Sequence, residues 1–124
     1  MVSRDVALNT LPTRGISVNP ASTGSATITL VASDSGVMNV NKLASPTAYT
    51  LPACTLGEGK IFWFYDAVGQ NIAVTSPTAT KLYGPVTLST TATLTGAIGG
   101  CGFAIGDGTY YYFFALSGSW AVGA

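Results

Sequence analysis

Histidine is absent from this chain of 124 residues. That removes the commonest general base and the commonest transition-metal ligand. Charge is also scarce. Five Lys plus Arg and five Asp plus Glu make 8% of the chain, where an ordinary soluble domain carries about 25%. The formal net charge is zero, so no basic field exists to attract nucleic acid. The two cysteines, Cys54 and Cys101, are too few for a disulfide scaffold, and their spacing matches no zinc pattern. They read as two reduced structural thiols, with one disulfide as the alternative. No N-x-S/T sequon occurs, and the first ten residues lack an apolar leader region. The uncharged run from Leu82 to Gly106 is long enough to span a membrane. It is rich in Thr and Gly and contains Pro85, which makes it strands and turns, not a spanning helix.

Little chemistry can be assembled from what remains. The carboxylates are scattered: Asp5 near the N-terminus, Asp34 and Asp107 in turn sequences, Glu58 between glycines, Asp66 at a strand end. The glycine-rich "GGCGFAIGDG" is not a phosphate loop. It offers no lysine, no following helix and neither glycine fingerprint. Cys101 has no histidine to activate it as a nucleophile. The expectation is a protein that is not an enzyme, takes no cofactor or metal, and meets neither nucleic acid nor membrane.

Aromatic residues are what the chain does have. In "KIFWFYD", Ile61, Trp63 and Tyr65 point one way and Phe62 and Phe64 the other, if the segment is a strand. "TYYYFFAL" repeats the arrangement at Thr109–Leu116. A wet strand alternates apolar and polar residues, so both faces of these two strands need cover. One face fills the core and the other meets another molecule. Phe62, Trp63, Phe64, Tyr111 and Phe113 are therefore expected in the core or in a contact between copies. Around them lie about nine or ten short β segments with turn signals at "DSG", "VGQN", "GDG" and "SGS", and seventeen threonines support a pleated fold. This pattern predicts an all-β, antiparallel sandwich or jelly-roll-like domain over residues 25–124. Residues 1–24, punctuated by Pro12, Gly15, Pro20 and Gly24, read as an extended arm, with a disordered terminus as the alternative. One internal echo stands out: "GKIFWFYDAVGQNIAV" and "GTYYYFFALSGSWAV" align Gly59 with Gly108 and Gly69 with Gly118, as two similar long hairpins would.

The ordered series "ATITLVASDSGVMNVN", "AYTLPACTLGEGKIFWFYDAVGQNIAVTS" and "IGDGTYYYFFALSGSW" resembles modules of tailed-bacteriophage structural proteins. Those include capsid decoration (cement) proteins and head or tail fibres. The resemblance runs from Ala26 to Trp120 and lies in the order of weak motifs. It departs from the usual pattern in its aromatic load at Tyr110–Phe114. It implies a jelly-roll or tulip-type domain that forms homotrimers, and a structural role.

A fibre tip usually follows a shaft, and no heptads or Gly-X-Y repeats precede this module. The resemblance then implies a decoration protein, made in the host cytoplasm and carried on the outer capsid surface of the virion. Its partner would be the major capsid protein of the phage head. Arg4, Leu8, Leu11 and Arg14 in the arm are the expected docking residues. The alternative is a receptor- or glycan-binding fibre module using Tyr83, Tyr110 or Trp120.

Overall fold

The computed structural model describes residues 13–78, 81–84 and 87–122. Twelve short strands and two single 3-10 turns make up its regular structure. The strands are β1 (Gly15–Asn19), β2 (Thr27–Thr29), β3 (Val37–Asn41), β4 (Thr47–Thr50), β5 (Ile61–Asp66), β6 (Ile72–Thr75), β7 (Leu82–Tyr83), β8 (Leu88–Ser89), β9 (Thr91–Thr95), β10 (Cys101–Gly106), β11 (Tyr111–Ser117) and β12 (Ser119–Val122). The fold is all-β, as expected.

Two sheets result. The larger has the order β1-β3-β5-β10-β11-β7-β8 and the smaller β12-β9-β6-β4-β2. The first six strands alternate between them. Each passage from the larger sheet to the smaller lays one rung of a stack, so β1, β3 and β5 run parallel, as do β2, β4 and β6. The rung formed by β9 and β10 runs the other way. β11 and β12 then close the stack on its far side. Five of the ten strand pairings are parallel. This corrects the antiparallel expectation. From β1 to β6, neighbours within a sheet come from successive rungs of a solenoid-like winding, while β7–β8 and β10–β11 are hairpins.

The internal echo has the same origin. β5 leads to β6 and β11 leads to β12, in each case from the larger sheet to the smaller. The corners turn at Gly69 (φ 79°) and Gly118 (φ 84°), a left-handed conformation that a side chain disfavours. Both expected hairpins are therefore corners between sheets. The "DSG" and "GDG" turns form locally as their chemistry predicts. The Asp34 carboxylate accepts the Val31 N–H at 2.9 Å, and Asp107 accepts the N–H groups of Thr109 and Tyr110 at 2.8 and 2.7 Å.

The inner faces of both sheets meet in one apolar cluster. Phe62, Phe64, Tyr111, Phe113 and Leu82 enter it from the larger sheet, and Tyr49, Leu51, Ile72, Val74 and Leu94 from the smaller. Tyr49 packs on Phe64 with ring centroids 5.2 Å apart. At the first two rungs the interior turns polar. Asn19, Asn39, Asn41 and Thr47 are all buried. The Asn19 amide N–H₂ donates to Asn41 Oδ1 at 2.9 Å, and Thr47 Oγ1 donates to the same oxygen at 3.1 Å. Buried amides persist when paired in this way. Asp66, fully buried, accepts the N–H groups of Val68, Gly69 and Ala97 and so ties the β5 corner to the β9–β10 connection.

Gly15–Asn19, placed in the arm by its proline and glycine punctuation, is strand β1 of the larger sheet. Ser17 and Asn19 pair there with Asn39 and Asn41.

Candidate functional site

The two outer faces differ in kind. The smaller sheet presents two rows read across its strands: Thr29-Thr50-Thr75-Thr91 and Thr27-Ala48-Ala73-Thr93-Ala121. These side chains are small and half polar, and the hydroxyls of Thr75 and Thr91 lie 3.5 Å apart. This is a surface built for water.

The larger sheet presents three rows of a different sort. The middle one is Ile16-Met38-Trp63-Phe103-Phe114, in direct register across β1, β3, β5, β10 and β11. Beside it run Val18-Val40-Tyr65-Cys101 and Ile61-Ile105-Tyr112-Tyr83. Trp63 and Phe103 have ring centroids 4.8 Å apart, and Phe103 stacks on Phe114 at 4.8 Å and 15°. Such cross-strand aromatic pairs hold their register. Ile16 is 70% exposed, Phe114 49% and Leu116, at the bulged end of β11, 57%. No charged residue occupies an outward position in these rows.

The polarity of β1 and β3 carries the strongest signal. In "VMNVN" the asparagines would ordinarily face water and the apolar residues the core. The reverse holds: Asn39 and Asn41 are buried, while Met38 and Val40 join the outer rows. Asn39 is held inside because its amide donates to the Trp63 carbonyl at 3.0 Å. The chain places amides in its interior and keeps its apolar side chains for the outside.

One end of this face is a tyrosine corner. Tyr83 stacks on Tyr112 (5.4 Å, 7°) and meets Tyr110 edge-on at 5.1 Å. Lys81 Nζ sits 4.8 Å from the Tyr110 ring centre. The Tyr112 hydroxyl donates to Asp107 at 2.6 Å. That bond, with the N–H groups of Tyr110 and Thr109, holds the Asp107 carboxyl below its ordinary range and pushes Tyr112 above its own. A groove of about 400 Å³ opens beside it, lined by Tyr83, Gly84, Tyr112, Phe113, Phe114 and Ala115.

The residues singled out by sequence fall as follows. Phe62, Phe64, Tyr111 and Phe113 lie in the core, and Trp63 lies on the outer face. The Arg14 guanidinium donates to the carbonyls of Ser33 and Ser35 of its own chain. Arg4, Leu8 and Leu11 lie outside the described residues. Trp120 turns inward, packing on Phe113 at 4.6 Å, with its indole N–H donating to the Ser117 carbonyl at 3.0 Å. Ile16 and Val18 stood out only as apolar residues of the arm, and Met38, Val40, Phe103 and Ile105 were not singled out. For the first four the signal is the shared phase of "ISVN" and "VMNVN", which becomes readable only once the two strands are known to be neighbours.

Elsewhere the chemistry is thin. Cys54 and Cys101 are both free thiols. Burial raises the pKa of each, and for Cys54 the Lys81 charge works against it while Asp107 adds to it. Among the described residues no group of three His, Cys, Asp or Glu is placed to hold a metal ion, and no helix is long and apolar enough to cross a membrane. No protein-family model matches the chain, and neither a curated protein nor a solved structure matches it.

Proposed function

We propose that the chain is a structural virion protein, a capsid decoration protein that assembles as a homotrimer and binds the outside of an assembled phage head. One observation carries the reading: an uncharged aromatic face five strands wide, opposite a threonine face that shows what the same chain builds for water. Contiguous apolar patches of this sort mark contact with another protein. In this reading the aromatic rows are the seam between copies, and the threonine faces turn outward. The two sheets, sharing one apolar cluster, are taken as a sandwich-type module in which mixed sheets replace the antiparallel ones that the motifs imply. The partner is the major capsid protein. Binding only the assembled shell stabilises it by mass action, and three sites on one trimer multiply the effect.

The test has two arms. Light scattering should return about three times the 12.6 kDa protomer mass. Purified trimer should then co-sediment with undecorated heads at a fixed copy number and raise their melting temperature. A monomer at micromolar concentration removes the seam. A trimer that ignores heads removes the decoration role.

The tyrosine corner favours a second reading, a glycan-binding fibre module. Tyr83 and Tyr112 offer an aromatic platform and Asp107 a hydrogen-bond acceptor for sugar hydroxyls. Tyr83→Ala would then lower binding to host-surface glycans and leave head binding unchanged.

A further inference from the structure

The larger sheet has an edge that stops short. β7 pairs with β11 at Tyr111 and Tyr112 among the described residues. Among the described residues, 113–117 keep β10 as their one strand neighbour. Five residues of open edge span about 17 Å at ~3.4 Å per residue. Exposed edges are usually blunted with lysine, proline or an inward charge. "FFALS" has none of these, only the bulge at its far end. The 400 Å³ groove runs beside this edge, with Tyr83 and Gly84 on its other wall. An unpaired backbone edge beside an apolar groove is the arrangement that accepts an added strand.

We propose that this edge receives an extended strand from a second copy of the chain, namely residues 6–12, "VALNTLP". The inference rests on the homotrimer reading above. The segment carries no charge between Asp5 and Arg14 and, as a strand, holds Val6 and Leu8 on one face for the groove and Leu11 on the other, with Pro12 ending the stretch that can pair. Chain length decides which copy supplies it. Residue 13 enters at β1, four strand spacings from β11 in the same sheet, or about 19 Å. Crossing that distance takes roughly six extended residues. A protomer reaching its own β11 would therefore deliver the residues that precede Ala7, Arg4 and Asp5 among them, and leave Leu8 and Leu11 on the way. A neighbour's segment meets the edge directly. The contact runs from the β1 flank of one copy to the β11 flank of the next. Such a head-to-tail contact closes into a ring when its rotation fits, as a trimer requires.

The experiment compares the full chain with its Leu8→Asp, Leu11→Asp double variant by light scattering and by amide hydrogen exchange at residues 113–117. In the parent trimer those amides should exchange at least about tenfold more slowly than in the double variant, and the protection should vanish on dilution to monomer. Equal exchange in a parent that is still trimeric overturns the strand contact and leaves the trimer standing. Protection that persists in the diluted monomer means that the segment folds onto its own protomer, which also overturns it. A parent that is monomeric at every concentration removes the homotrimer reading itself.

Discussion

Phe103 stacks on Phe114 at 4.8 Å across β10 and β11, at the β11 end of an outer-face row without charge. If that face is a seam, a carboxylate in it is ruinous, because an unpaired charge cannot be desolvated. Phe114→Asp should convert the trimer to monomer without unfolding the protomer, since Phe114 lies outside the core cluster. Thr91→Asp, on the opposite face, should leave the mass unchanged. If both variants keep the parent mass by light scattering, the aromatic face is not where copies meet.

Two buried tyrosines should respond in opposite directions to loss of the hydroxyl. Tyr49 Oη is buried without a hydrogen-bond partner, whereas Tyr111 Oη donates to the Pro52 carbonyl at 2.7 Å. Tyr49→Phe should raise stability by about 1 kcal/mol and Tyr111→Phe should lower it by about 1–2 kcal/mol. Urea midpoints of the two variants, read against the parent, check the sign of each.

Those same hydroxyls set the behaviour in alkali. Burial, with a further push from Asp66, raises Tyr49 to about 12, and burial, with Cys54 behind it, raises Tyr111 further. Unfolded tyrosine titrates near pH 10. Above that pH the unfolded chain sheds protons that the native protein keeps, so stability falls as pH rises. Below it neither tyrosine titrates in either state, and the slope that remains there comes from the Cys54 and Cys101 thiols, which burial also raises. Each group contributes a slope of at most about 1.4 kcal/mol per pH unit. Urea midpoints at pH 9, 10 and 11 should bend downward past 10, and less steeply in Tyr49→Phe. A flat profile to pH 11 would show that both rings ionise in place.

The two corner glycines should not be equally replaceable. Both have left-handed φ, which costs a side chain about 1–2 kcal/mol. A Cβ at Gly69 meets only Ile98 Cγ1 at 3.5 Å, while one at Gly118 would lie 2.7 Å from Leu94 Cδ1 and 3.0 Å from Gly100 Cα. Gly69→Ala should cost about 1–2 kcal/mol and Gly118→Ala roughly 1–3 kcal/mol more, from overpacking. Thermal melts of the two variants rank them, and the reverse order would show that the β11–β12 corner relaxes freely.

How far these features could be read from sequence depends on their range. The two-faced strand at Ile61–Asp66 was legible because side-chain alternation is local. So were the turns at Asp34 and Asp107, whose carboxylates bond amides within three residues. The matched glycines 59, 69, 108 and 118 were visible as an echo. A left-handed glycine, however, serves a hairpin and a corner between sheets equally well, so direction was not. Parallel pairing of Met38 with Trp63 joins residues a full rung apart, and nothing in either segment names the other. The same distance hid the site. Met38 looks like a core residue until Asn39 and Asn41 are seen to occupy the interior.

The reversed rung also orders events at the ribosome. β1 to β6 can stack as they emerge, each rung on the one before. β5 and β6 must then wait, edges bare, while β7 and β8 are made, because their next neighbours, β10 and β9, come later in the chain. β7 in turn gains its place only when β11 arrives. Between residue 76 and the arrival of β9 and β10, the nascent chain holds the edges of β6 and β5 open and Phe62 without its Tyr111 neighbour. Aggregation during expression should therefore be most sensitive to translation rate in that interval, and slowing it there should lower the soluble yield.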